Sequence, residues 1–583
     1  MSTIEDVGSK LPLPRPPLTG SDDGQRPLPW LTLPNELKMR VMRHFVPSSV
    51  SFADYESPPG GPIRRPDNEP WASRQTLAAA CLASRQLETI CSPLLYEAVA
   101  LKNHRELSWI LRSLVRNPRL RARVRRLAWV YLVCGDEVNQ RIFETGPDLE
   151  GLVVEVLSSW PSTSNDRRLA EIFQLSTADP SITSLRKALG VVLSMLPRIE
   201  ALIFTHGGFP LDFLGLNHST GHHPVTRLLD PALLSLATLE EIIVDLSNTP
   251  WTLWFLILNC PSLRRVGLKG RVSFDATLPR VLGNNDPNST AMQFHRPPEL
   301  HLLPRAVGDN VQEICLYRSH RVQWDVLPKI FPNLERLVTV FERDAWREEF
   351  WSIYPPLVPS EKLPEELGQV IALYKSSLRS LTVTGSLSVN DWRTGKDYRN
   401  SGSPGFLSLT APIIPLLSPG LPQVPLIELT ADCVWLFGRV DPSVAYQISS
   451  LLPSSLVSLH LIDYWAVSIR EEGIKLDDEQ LSYYPVFPSD LTPLDFLDNV
   501  FAILHDSCAA QHTRLKHITL SSPMFDEDKD ERWPTLATPP VDRADVQAWQ
   551  ARVGDTFARI GVIFSFTTMR QLETSIKCSW ARM

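Results

Sequence analysis

From about residue 124 onward the chain repeats one short pattern. An apolar residue is followed by two variable ones, an apolar residue, one variable residue and a last apolar one. It occurs at Val124-Leu127-Trp129, Ile199-Leu202-Phe204, Leu239-Ile242-Val244, Leu263-Val266-Leu268 and Val311-Ile314-Leu316. It returns at Leu334-Leu337-Thr339, Leu378-Leu381-Val383, Leu456-Leu459-Leu461 and Leu515-Ile518-Leu520, with a weaker copy at Leu426-Leu429-Ala431. Because strand side chains alternate, each unit predicts a short strand with one apolar face. Most copies follow Pro, Ser or both, as in Cys260-Pro-Ser-Leu263 and Phe331-Pro-Asn-Leu334, so each strand is entered from a turn.

The N-terminal part carries a different period. Leu33 to Phe45 reads as an amphipathic helix, with Pro34 suited to its first turn and Leu37, Val41 and Phe45 forming one apolar stripe. Pro47 ends it. Residues 47–75 lack periodicity and are rich in Pro, Gly and Ser, which predicts a loop. A second helix is expected over Thr76–Ile90, with Leu77, Cys81, Leu82, Leu87 and Ile90 apolar, and Pro93-Leu-Leu-Tyr-Glu97 closes the module. A helical hairpin of this size buries too little to stand alone. It must lean on the following residues or on a partner.

The repeated unit resembles the strand segment of a leucine-rich repeat, over roughly residues 120–525. Copies at 239 and 263, and at 311 and 334, are one repeat apart, whereas others are separated by forty residues or more. The array is therefore irregular, with missed copies or inserted loops such as 284–298 and 384–404. With the apolar positions in the core, the residues between them face the concave side. The candidate recognition residues are Glu241, Arg265, Glu313, Arg336, Ser380, Ser458 and His517, followed two positions later by Ile243, Gly267, Cys315, Val338, Thr382, His460 and Thr519. A protein segment is the expected ligand.

Over about residues 31–100 the chain resembles an F-box domain of the kind common in fungal proteins. The likeness rests on Leu33-Pro34-x-Glu36-Leu37, the helix Leu77-Ala-Ala-Ala-Cys-Leu-Ala-Ser84 and the exit Pro93-Leu-Leu-Tyr96, with a longer loop at 47–75 than the family carries. It implies a substrate-recognition subunit of an SCF-type cullin–RING ubiquitin ligase. Such a receptor docks the Skp-type linker subunit, and through it a cullin, while its repeats hold a target protein. It does no bond chemistry itself and acts by proximity. The resemblance assigns linker docking to Leu33, Pro34, Leu37, Val41, Leu77, Cys81, Leu82 and Leu87. The alternative is a leucine-rich-repeat scaffold unconnected with ubiquitination, in which the helices only cap the array.

The expected class is thus α/β, an N-terminal α-helical F-box-like module followed by an irregular leucine-rich-repeat solenoid of curved parallel sheet with helices and loops. The expected divisions are a disordered Pro-rich tail at 1–28, the helical module at 29–100 and the array at 101–525. Residues 526–583 supply an acidic loop and a capping helix and strand, over Val541–Ile560 and Val562–Thr568.

Composition adds exclusions. Formal net charge is -7, so no basic field draws nucleic acid. The arginine run from Arg112 to Arg126 has only Trp109 and Trp129 nearby and reads as a solvated surface. The eight cysteines lie singly, which fits reduced thiols of a cytosolic or nuclear protein. His206, His218, His222 and His223 lack metal-ligand spacing, and the Asp526–Glu531 run reads as a solvated loop. The most apolar run, Trp251–Leu258, is too short for a membrane span. No hydrolase elbow, zinc-protease motif or P-loop occurs, and no cofactor or metal is expected.

Overall fold

The computed structural model describes residues 33–44, 69–101, 104–129, 188–189, 191–193, 195–204, 236–245, 260–271, 308–320, 327–340, 363–384, 421–433, 436, 452–462, 493–509, 514–522, 525, 543–568 and 571–572. Among these residues twelve parallel strands form one sheet in which spatial order equals chain order. They are β1 (Ala98–Leu101), β2 (Arg126–Trp129), β3 (Ala201–Phe204), β4 (Glu241–Asp245), β5 (Arg265–Arg271) and β6 (Glu313–His320). The sheet continues through β7 (Arg336–Val340), β8 (Ser380–Thr384), β9 (Glu428–Asp432), β10 (Ser458–Ile462), β11 (His517–Ser521) and β12 (Ile563–Thr567). This is an α/β architecture, consistent with a solenoid in which each turn adds one strand.

The ten sequence units supply β2 to β11. Their middle apolar positions are register partners, so Leu127, Leu202, Ile242, Val266, Ile314, Leu337, Leu381, Leu429, Leu459 and Ile518 form one continuous row. None of these ten side chains is more than 1% exposed. The first apolar residue of each unit precedes its strand and turns inward too: Leu239, Leu263, Val311, Leu334, Leu378 and Leu456 are all buried. Full burial of such side chains is worth about 1.5–3 kcal/mol each, which holds a sheet of very short strands together.

The polar residue just before a unit has its own task. Thr238 Oγ1 donates to the Ile199 carbonyl at 2.8 Å, Ser262 Oγ to Ala237 at 2.6 Å and Asn310 Nδ2 to Pro261 at 2.9 Å. Asn333 Nδ2 donates to Asp309 at 3.1 Å and Ser455 Oγ to Leu426 at 2.7 Å. These five side chains tie their turns to the preceding ones, whereas the buried Ser377 hydroxyl before the Leu378 unit makes no such bond.

Long separations in sequence leave no gap in the sheet. Arg126 pairs directly with Ala201, and Ser380 with Glu428. The irregular spacing therefore comes from residues inserted outside the ladder, not from missed strands between these pairs.

Helices cover the core side of the sheet. Four with an apolar face at helical spacing are α4 (His104–Arg116), α5 (Leu363–Leu373), α6 (Pro493–Ala509) and α7 (Arg543–Ala558). In α4 the buried set is Leu107, Ile110, Leu111 and Leu114, and in α6 it is Leu497, Val500, Phe501 and Leu504. At the C-terminal end Trp549 of α7 donates Nε1–H to Asp498 of α6 at 2.8 Å, and Arg552 binds the same carboxylate at 2.8 and 3.0 Å. Gly561 at φ 76° then lets the chain leave α7 and turn directly into β12. This helix and strand lie where the sequence pattern put them.

The N-terminal helices are α1 (Asn35–Arg43), α2 (Glu69–Ala83) and α3 (Arg85–Glu97). Three expectations are corrected here. Helix starts at Glu69, inside the expected 47–75 loop, because Pro70 sits in a first turn where its missing N–H costs nothing. The expected single helix over Thr76–Ile90 is two, broken at Ser84, whose extended backbone (φ -160°, ψ 152°) and hydroxyl cap α3 through Leu87 N at 3.1 Å. That second helix runs through Pro93 to Glu97 and leads straight into β1, so the sheet begins at Ala98, before the expected 100/101 boundary. Phe45, expected to end the first helix, and loop residues 47–68 lie outside the described residues.

Candidate functional site

The three N-terminal helices enclose a small core of Met42, Leu77, Ile90, Cys91 and Leu94, with Met39, Ala80, Cys81, Leu87 and Leu95 packed against it. The face that α1 buries is not its apolar stripe. Lys38 and Met42 point inward, whereas Leu37 and Val41 of the apolar stripe are 46% and 42% exposed. Leu82 of α2 is 89% exposed. Gln86 Nε2 donates to Asn35 Oδ1 at 3.3 Å, which sets the start of α1 against the α2–α3 junction that follows Leu82.

The eight residues assigned to linker docking therefore divide. Leu77 is buried within the module's own core, and Cys81 and Leu87 are half-buried against it. Leu33 is half-buried, and Pro34 is exposed with its carbonyl accepting from Leu37 N and Lys38 N at 3.1 Å. Leu37, Val41 and Leu82 present large apolar surface to solvent. Burial, followed by the nearby Glu88 charge, raises the Cys81 thiol above its usual range, with a backbone hydrogen bond opposing. Burial, then Cys81, does the same to Cys91. Neither thiol is activated as a nucleophile.

On the sheet, all seven recognition candidates fall on one register row. It reads Arg126, Ala201, Glu241, Arg265, Glu313, Arg336, Ser380, Glu428, Ser458, His517 and Ile563 across β2 to β12. Opposite charges alternate over its middle, the arrangement that favours cross-strand pairing. Arg265 lies 3.5 Å from Glu241, which is buried. Burial raises the Glu241 carboxyl despite the lowering effect of Arg265 and then Arg126. Glu313 is likewise raised by burial against the pull of Arg336 and Arg265.

Because these cations face carboxylates in the same row, the row is no ready phosphate cradle. Glu428 and Arg126 are row members that the sequence reading missed. The first sits in the weakest unit and accepts from Ser380 Oγ at 3.2 Å, and the second was absorbed into the arginine run.

The second row changes character along the sheet. Ala128, Ile203, Ile243, Gly267, Cys315, Val338 and Thr382 are all buried, Val338 at 2% and Cys315 at 6% exposure. This corrects the expectation that Ile243, Gly267, Cys315, Val338 and Thr382 are open recognition positions. From β9 on, Thr430, His460 and Thr519 are half-open and Ser565 is exposed.

His460 Nε2 lies 2.7 Å from Ser521 Oγ, which in turn meets Thr567 Oγ1 at 2.6 Å, linking β10, β11 and β12. A histidine beside a serine is a nucleophile pairing in hydrolases, but Ser521 is 0% exposed, so no substrate atom reaches it. Burial lowers the His460 proton affinity to about 4, which keeps the ring neutral. Burial also raises the Cys260 thiol to about 12 and pushes Cys315 and Tyr374 upward.

Among the described residues there is no group of three or more His, Cys, Asp or Glu able to hold a metal ion. In the same residues no helix is long and apolar enough to cross a membrane. The histidine group 206–223 and the acidic run 526–531 lie outside the described residues. No protein-family model matches the chain, and no curated protein matches its sequence.

Proposed function

We propose that this chain is a non-catalytic substrate receptor of an SCF-type cullin–RING ubiquitin ligase, with an F-box-like module ahead of leucine-rich-repeat turns. Helices α1 and α2 dock the Skp-type linker, and the variable face of the sheet holds a target protein. One observation carries the reading. Among the described residues Leu37, Val41 and Leu82 are large apolar side chains exposed on the module, whereas Met42, Leu77, Ile90 and Leu94 fill its core. Large apolar side chains left exposed on a small module are a candidate interaction surface. In the docking set, those three with Pro34 contact the linker, and Leu77, Cys81 and Leu87 support them from beneath.

The test is binding of the full chain to purified Skp-type linker, followed by size-exclusion chromatography and calorimetry. Wild type should form a complex, and Leu37→Asp/Leu82→Asp should bind at least about 30-fold more weakly, as expected when central apolar anchors are lost. A wild type that binds no linker would make the chain a repeat scaffold outside the ubiquitin system. Equal binding by the double variant would move docking to another surface.

A further inference from the structure

We propose that β12 pairs edge to edge with β12 of a second copy of the chain, antiparallel and about a two-fold axis through Ser565. Among the described residues β12 is the last strand of the sheet. Ile563 N donates to the Lys516 carbonyl at 2.8 Å, so Ile563, Ser565 and Thr567 aim their backbone groups at β11. Alternation then points the N–H and C=O of Phe564 and Phe566 away from β11, along an edge that no described strand covers.

The core is unfinished at this edge. Ile518 and Leu520 in β11 are sealed, whereas their register partners Phe564 and Phe566 are only half-buried, and Ile563 is 61% exposed. Edge strands of soluble proteins are usually guarded by a charge, a proline or a bulge. Ile563-Phe-Ser-Phe-Thr567 has neither charge nor proline, and its pairing with β11 runs without a register shift.

The occupant follows from the symmetry of this edge. With Ser565 opposite Ser565 of the second copy, Phe564 lies opposite Phe566 of that copy, and the reverse. Both carry outward backbone groups, so each pair exchanges two hydrogen bonds, as a hydrogen-bonded antiparallel pair requires. The rings meet on the core side, extending an aromatic row in which Phe564 and Phe566 are already 4.9 Å apart. On the front, Ile563 meets Thr567, and no like charges face each other across the axis. A closed two-fold contact of this kind is isologous. It leaves the variable faces of both copies on the same side of one continuous sheet.

The full chain is tested at tens of micromolar by sedimentation and light scattering. Wild type should show twice the 65.7 kDa chain mass. Ser565→Lys, at an exposed position, should be a monomer with an unchanged circular dichroism spectrum, because two lysines would meet on the axis. In the non-hydrogen-bonded position residue 565 lies about 4.5 Å from its copy between Cα atoms, within disulfide reach. Mild oxidation of Ser565→Cys should therefore give a dimer whose peptide map joins 565 to 565, a link wild type cannot make. A monomeric wild type, a dimer that survives Ser565→Lys, or a cross-link through other cysteines instead would each overturn the proposal.

Discussion

Acidification should loosen the C-terminal turns of the sheet first, and His460 should be the cause. In the folded chain burial lowers its proton affinity from 6.5 to about 4, while in an opened segment it returns to 6.5. A site that binds its proton more tightly when open than when closed destabilises the closed form as pH falls. The contribution is fully present above the unfolded value and is lost progressively from 6.5 down toward 4.

The full shift corresponds to about 3 kcal/mol at 1.36 kcal/mol per unit, an upper bound because the ring keeps some contact with water. Integrating the two titrations from pH 7 to pH 5 gives a loss of about 2 kcal/mol at most, or about 20-fold in the opening equilibrium. The ring's contact with Ser521, and that serine's with Thr567, ties β10, β11 and β12 into one opening unit. Amide hydrogen exchange read on peptides covering 458–462, 517–521 and 563–567 measures that opening directly. Wild type is compared with His460→Gln at each pH, so the intrinsic exchange rate cancels. Protection in wild type should fall relative to the variant by up to about 20-fold across this range. A wild-type to variant ratio that stays constant would refute the reasoning.

The N-terminal module should separate folding from docking. Leu77→Ala, in its core, should cost about 2–5 kcal/mol of module stability, whereas Leu82→Ala should change stability by less than about 0.5 kcal/mol, both read by thermal unfolding. Ser84→Ala removes the hydroxyl that caps α3 and should cost about 1 kcal/mol, seen as faster exchange of the Leu87 amide. Asp498→Ala strips the shared partner from Trp549 and Arg552, so α7 should detach from α6 at lower urea in fluorescence and circular dichroism. Asp498→Glu should recover part of that loss.

Much of the sheet was legible in the order of residues alone. A strand this short has little choice of face, so each unit's alternation identified its inward residues, and all ten units became neighbouring strands. Thr238, Ser262, Asn310, Asn333 and Ser455 were visible before their units too, although their role as ties to the preceding turn needs two turns side by side. The strand Ala98–Leu101 went unread because it continues a helix without a turn signal, and its four residues carry no preceding apolar mark. Ser84 was legible as a cap only once a helix was known to end beside it, since a serine inside an alanine-rich stretch also fits a continuous helix.

What the sequence by itself determined was the set of apolar positions that water drives inward, and therefore the architecture. Which apolar residues stay outside was decided only by tertiary packing. Leu37 and Val41 form as good a stripe as any in the chain, yet α1 turns Lys38 and Met42 toward its neighbours. The same holds for the variable face, where register brings Glu241, Arg265, Glu313 and Arg336 into one row and closes Ile243 and Val338 to water. Periodicity is a property of one segment, whereas exposure depends on what the rest of the chain places against it.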